Sequence, residues 1–267
     1  MIRSFNELML KVKEKPSRRV VIPGADAKSA IYAATLAKME NIADFLLIGD
    51  KAEIKLLIKE IESEMIDVFE IIDETDPDEC VKKAVESIHQ GKADLILKGK
   101  ITTSQLMKGV LDKQCGLQTG SILSDVFIFE TKERLTLMTD GGIVLYPEVK
   151  EKVALINNAV AVAHSLGNPN PKVAILAAVE VVNPKMQPTL DAAVLEQMND
   201  RGQIKGCIVD GPFALDNAIS KEAARIKNIK SPVAGDADIL IMPNIEAGNI
   251  FGKAMTYYAK FSVAHVV

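Results

Sequence analysis

Ten short apolar runs recur along the chain with amphipathic stretches between most of them, and this rhythm restricts the fold more than any single motif does. The runs are Arg19 to Pro23, Asp44 to Ile48, Val68 to Ile72, Asp94 to Leu97, Asp125 to Phe129, Leu135 to Thr139, Lys172 to Leu176, Gly206 to Asp210, Asp238 to Met242 and Phe261 to Val267. Most are continuously apolar rather than alternating, the pattern of strands covered on both faces. The stretches 28–39, 51–61, 78–89, 103–111, 148–165, 189–198, 220–226 and 247–258 have helical spacing, and Ser4 with Glu7 reads as a capping box opening a first helix. Strands alternating with helices define an α/β architecture. One place breaks the alternation. The runs 125–129 and 135–139 are joined only by Thr131-Lys132-Glu133-Arg134, which predicts an antiparallel hairpin and a crossing into a second α/β unit. The expected domains are residues 1–122, with 251–267 returning to them, and residues 123–250.

Charge and composition exclude several functions. With 32 Lys+Arg against 36 Asp+Glu, a net charge of −4, no Trp and 4% aromatics, the chain offers neither a phosphate track nor stacking platforms for nucleic acid. No apolar stretch is long enough for a bilayer span and the charged start lacks a signal-peptide core, so a cytoplasmic protein is expected. Cys80, Cys115 and Cys207 have no CxxC spacing and read as free thiols. His89 and His164 lie near helix ends, where capping roles are expected, and His265 reads as a half-buried strand residue.

In open α/β sheets ligands bind beyond the carboxyl ends of the strands, and here those ends are polar. Lys98-Gly99-Lys100-Ile101-Thr102-Thr103-Ser104 runs into a helix start, where free N–H groups favour an anion, although Thr102 or Thr103 also suits an N-cap. Walker spacing and G-x-G-x-x-G are both absent. Thr119 sits in a turn with two glycines, Gly116 to Ser121. Asp140-Gly141-Gly142 reads as a turn. Asn183 and Lys185 follow one strand, Asp210 and Asp216 another, and Asn244, Glu246 and Asn249 a third. Asp210, Asp216, Asp236 and Asp238 have the chemistry for Mg²⁺, but turn and cap roles account for them as well, and no metal is assigned.

The segments YPEVKEKVALINNAV, VEVVNPKM, DRGQIKGCIVDGPFALDNAIS, SPVAGDADIL and MPNIEAGNIF, together with SFNELMLKVK and ADLILKGK, resemble the phosphotransacylases, most of all the phosphate butyryltransferase branch. That resemblance implies transfer of a short or branched acyl group between coenzyme A and inorganic phosphate, both as substrates, with no permanently bound cofactor or metal. It also implies a homo-oligomer of two α/β domains with a cleft between them, related to isocitrate and isopropylmalate dehydrogenases. On this reading Lys98, Thr102, Thr103 and Thr119 bind substrate with Asn183, Lys185, Asp210, Asp216, Asn244, Glu246 and Asn249. Two departures stand out. Gln118 occupies the place of an arginine common in the family, removing a fixed cation. The family's catalytic serine, arginine and aspartate lie in a Ser-Arg-Ala-Asp-Ser stretch following the equivalent of Phe261–Val267, so no catalytic residue is assigned within residues 1–267. A non-catalytic relative that binds an anion or acyl phosphate is the alternative. A dehydrogenase of the related fold would need a nicotinamide site, which nothing in the sequence suggests.

Overall fold

The computed structural model describes residues 1–267 and divides them into two compact units, 9–120 and 1–8 with 121–267. In the smaller unit β1 (Arg18–Pro23), β2 (Ala43–Gly49), β3 (Glu70–Asp73) and β4 (Leu95–Ile96) form a parallel sheet in the order β3-β2-β1-β4. Its helices are α2 (Lys28–Met39), α3 (Lys51–Ile61), α4 (Pro77–His89) and α5 (Thr103–Val110). Helix α1 (Phe5–Lys13) straddles the division between the units. One face of the sheet buries Val20, Ile22, Phe45 and Leu47 with Ile31 and Ile58 of α2 and α3. The other buries Val21, Leu46 and Ile48 with Cys80 and Ala84 of α4. Burial on both faces is why these strands are continuously apolar.

The larger unit holds β5 (Val126–Glu130), β6 (Leu135–Thr139), β7 (Lys172–Leu176), β8 (Ile208–Phe213), β9 (Ile239–Ile241) and β10 (Val263–Val266), in the order β10-β5-β6-β9-β7-β8. Strands β6 to β9 pair in parallel, while β5 is antiparallel to both β6 and β10. The predicted hairpin is present, with Thr131 N–H donating to Arg134 O at 3.0 Å. Helices α6 (Val149–Ser165) and α7 (Gln187–Asp200) follow β6 and β7. After β8 come α8 (Leu215–Ile219), which periodicity did not predict, and α9 (Lys221–Ile226). Helix α10 (Ile245–Lys253) follows β9 and runs into a π-helical turn, Ala254–Tyr258. No helix is long and apolar enough to cross a membrane.

Two segments lie in a different unit from the one expected. Residues 251–267 belong with the larger unit because β5 presents an open antiparallel edge on which Val263–Val266 complete a ladder. Residues 1–8 join the same unit, since Ile2, Phe5 and Leu8 pack against its core and Ile2 N–H donates to Leu166 O at 2.8 Å. The expected capping box is half formed: Ser4 Oγ accepts from Glu7 N–H, but the Glu7 carboxylate turns to Arg3 N–H instead.

One charged pair lies inside the larger unit. Lys152 of α6 is 2% exposed and its ammonium meets Asp191 Oδ2 of α7 at 2.5 Å, while Gln187 Nε2 donates to Asp191 Oδ1 at 2.8 Å. Removing one partner strands a buried charge. Lys152→Met is therefore expected to cost about 3–5 kcal/mol. Lys152→Met with Asp191→Leu should recover most of that loss, with both read from urea unfolding midpoints.

Candidate functional site

Each sheet places its polar strand ends at a point where the strand order reverses. In the smaller unit the chain moves from β1 outward to β2 and β3, then returns to put β4 on the far side of β1. The residues after β1 and β4 flank that reversal, which is where open parallel sheets hold ligands. The post-β4 segment lies hard against the end of β1: Leu97 N–H donates to Val21 O, Gly99 N–H to Pro23 O and Lys100 N–H to Gly24 O. A Cβ on Gly99 would sit 2.1 Å from Gly24 O, so only glycine fits. Gly99→Ala is expected to lower stability by about 1–3 kcal/mol, because the loop must move off β1; a wild-type urea midpoint would disprove the close approach.

That segment meets some expectations and corrects others. Lys98 is exposed, but its ammonium donates to Ile101 O at 2.8 Å and so closes its own loop. Lys100 pairs with Asp26 at 3.1 Å. Thr102 is the α5 N-cap in a complete capping box with Gln105, so its hydroxyl is occupied by the helix. Thr103, in the first turn, and Thr119 are exposed. Gln118 donates to Leu111 O and thus acts as a loop tie.

In the larger unit β7 leads through α7 to β8, whereas β9 leads through α10 back to β10, so the reversal falls between the adjacent strands β7 and β9. Asn183 and Lys185 follow β7 on one side of this point, and Asn244, Glu246 and Asn249 follow β9 on the other. Asn183 Oδ1 accepts from Lys185 N–H at 3.0 Å, and the exposed Lys185 ammonium has no ion pair. Asn244 caps α10 by accepting from Ala247 N–H at 3.0 Å. Glu246 accepts from the Tyr146 hydroxyl, which holds its carboxyl below the usual range. Asn249 Nδ2 donates to Gly141 O at 3.0 Å. Gly248 allows the approach: a Cβ there would lie 2.2 Å from Asp140 O.

Asp210 lies elsewhere than expected, whereas Asp216 does follow β8, in the first turn of α8. Asp210 is inside β8, opposite Ala174 and before a register shift, and its Oδ1 accepts from Gly211 N–H. Its charge, after burial, helps to push the Glu196 carboxyl upward. Asp216 is exposed in α8 near Lys227, whose ammonium pairs with Glu180 at 2.7 Å. Asp236 and Asp238 sit at the opposite, amino edge of the sheet, where Arg134 reaches both and Lys172 binds Asp236 at 2.6 Å. Burial pushes Asp236 up, but the Lys172 hydrogen bond and the Arg134 charge outweigh it and leave its carboxyl lowered. These four aspartates are thus dispersed or neutralised by basic side chains.

Sequence reasoning missed the neighbouring cluster at the β5, β6 and β10 ends. Asp140 is 2% exposed and accepts from Asp125, Gly142 and Ile143 N–H groups, so the expected turn is also an anchor. The Asp125 carboxylate accepts from His265 Nδ1 at 3.0 Å, tying β10 to β5, and the imidazole lies edge-on to Phe127. Both line a cavity of about 230 Å³ with Asn249, Lys253, Thr256 and Tyr257. The Asp–His signal was present in the sequence only as two residues 140 positions apart. His89 and His164 instead bind the carbonyls of Cys115 and Gly206.

The hydrogen bond from His265 to Asp125 raises the imidazole pKa above its ordinary 6.5. Its contribution to stability is therefore full below the unfolded value and disappears as pH rises through the higher folded value. The Tm difference between wild type and His265→Gln should be largest below the ordinary imidazole value and shrink as the pH rises through the raised one. A gap that widens with pH would contradict the pairing.

An α/β protein with polar, donor-rich strand ends at two topological reversals belongs to the broad class that binds anionic small molecules there. Comparison with known proteins narrows this. A model of the family described as Phosphate acetyl/butaryl transferase matches residues 77–264. Phosphate butyryltransferase of Clostridium acetobutylicum is 49% identical over 259 residues, covering 96% of this chain and 86% of that protein. Phosphate acetyltransferase of Thermotoga maritima is 43% identical, covering 98% and 90%. A solved branched-chain phosphotransacylase from Enterococcus faecalis V583 superposes with a TM-score of 0.81 at 28% identity, covering 93% of this chain and 87% of that one. The chain belongs to the phosphate acetyl/butyryl transferase family.

Proposed function

We propose that the protein transfers a short or branched acyl group between coenzyme A and inorganic phosphate, forming an acyl phosphate and free coenzyme A or the reverse. The observation that carries this is 49% identity to a phosphate butyryltransferase over 96% of the chain. The chemistry joins two anionic substrates, and attack on the thioester carbonyl develops an oxyanion. Cationic and N–H donors are what such a reaction requires. In this reading the exposed ammonium of Lys185, beside Asn183, meets a phosphate group, while Asn244, Glu246 and Asn249 line the facing strand end.

In the smaller unit Lys98 and Thr102 act mainly by shaping the loop, since each already serves the backbone, and Thr103 and Thr119 offer exposed hydroxyls. Asp210, inside β8 and bonded to Gly211 N–H, takes no direct part, while Asp216 offers an exposed carboxylate beyond the end of that strand. The reaction draws on coenzyme A and phosphate as substrates, with no resident cofactor or metal. A cytoplasmic setting and self-association complete the reading.

The test is phosphate-dependent release of free thiol from acetyl-, butyryl- and isobutyryl-CoA, followed with a thiol reagent. Release that requires phosphate is expected with at least one of the three. No release from any of them at high enzyme concentration would overturn the assignment. Lys185→Ala should raise the KM for phosphate or coenzyme A by about tenfold or more, as loss of a charge-assisted hydrogen bond implies.

A further inference from the structure

The loop that carries Asn183 and Lys185 is held by a residue to which neither the sequence reading nor the family comparison assigns a role. Helix α7 begins after Met186, whose side chain cannot cap it, and no side-chain cap bond is made there. The third helical residue, Thr189, does the work from inside. It is completely buried; its Oγ1 accepts from Asn183 N–H at 2.9 Å and lies 3.0 Å from Asn183 O and 2.8 Å from Met186 O, the two carbonyls its hydroxyl proton can reach. Met186 N–H returns to Asn183 O at 2.9 Å, and Lys185 N–H to Asn183 Oδ1 at 3.0 Å. One hydroxyl therefore joins both ends of the four-residue turn.

What the turn presents outward matters. The Asn183 Oδ1 atom is used by the turn, while its amide N–H₂ is left as a donor, and the adjacent Lys185 ammonium makes no ion pair. Two residues beyond Thr189, Asp191 is fixed by Lys152 and by Gln187, the first residue of α7. A buried ion pair contributes little net stability for its desolvation cost, and a role in fixing one arrangement accounts better for its presence. The same helical turn thus anchors α7 to α6 and clamps the donor loop at the reversal between β7 and β9.

We infer that Thr189 is a positioning residue for substrate-anion binding: it holds the Asn183–Lys185 turn in the conformation that presents an amide and an ammonium together to a phosphate group. This rests on the acyltransferase reading above. Thr189→Val keeps the volume and deletes the hydroxyl, whereas Thr189→Ser keeps the hydroxyl and deletes a methyl. For Val, the KM for coenzyme A or phosphate should rise about five- to tenfold with kcat within about twofold, because ordered binding rather than chemistry is lost. Ser should stay within about twofold of wild type in KM. Amide exchange of Asn183 and Lys185 in the ligand-free protein should accelerate at least about fivefold in Val and not in Ser.

Wild-type turnover combined with unchanged KM values and unchanged exchange in Val, even with a lowered Tm, would overturn the inference and leave the acyltransferase reading standing. So would a Ser variant as impaired as Val, since the methyl and not the hydroxyl would then matter. A wild-type protein silent toward all three acyl-CoAs would overturn the acyltransferase reading, and with it this role for Thr189. If Val fails to fold, the Ser KM and exchange values decide: impairment counts against the hydroxyl clamp, and wild-type behaviour supports it.

Discussion

A strand that must lie parallel to its predecessor cannot be reached through a tight turn; the chain has to cross back over the sheet, and a helix is the economical way to do so. Everything else in both units follows from that constraint. Parallel pairing buries each sheet between helices, as the two-sided packing of β1 and β2 against α2, α3 and α4 illustrates. Within each sheet it also sends the segments that follow the parallel strands to one edge. Lys98, Asn183, Lys185, Asn244 and Asn249 come from distant parts of the chain, yet each emerges at a carboxyl edge because the topology leaves it nowhere else.

The fold was legible for this reason. Continuous apolar runs mark buried strands whatever their neighbours, and all ten runs became strands, with ends displaced by a few residues. The hairpin at Thr131–Arg134 was readable because its connection is too short for a crossover. What could not be read was partnership at the sheet edge. The run 261–267 is apolar enough to pair anywhere, and only the open side of β5 decides that it completes the larger sheet. Helix α8, five residues long, is too short to show a period.

The site was legible as composition and not as contact. Strand-end position singled out Asn183, Lys185, Asn244, Glu246 and Asn249 as candidates, and the sequence offered Thr102 as a cap, but it gave no way to see that Asn244 would be consumed by a helix cap or that Lys98 would turn onto its own loop. The converse error is the omission of Asp125, Asp140, Lys152, Asp191 and His265. Each looked ordinary alone. Their significance is pairwise, and the partners of Asp125 and Lys152 lie 140 and 39 residues away.

The amino edge of the larger sheet carries Arg134 and Lys172 against Asp236 and Asp238, two cations against two anions in mutual contact. Such an arrangement projects almost no field into solvent, whereas Lys185 at the other edge has its charge uncompensated by any ion pair. In a protein of net charge −4, this makes the sheet an electrical lens with one dark end. An approaching anion meets the net repulsion of the whole molecule and a local attraction to the Lys185 ammonium, which no ion pair offsets. Dissolved salt weakens that guidance without touching the neutralised cluster behind it.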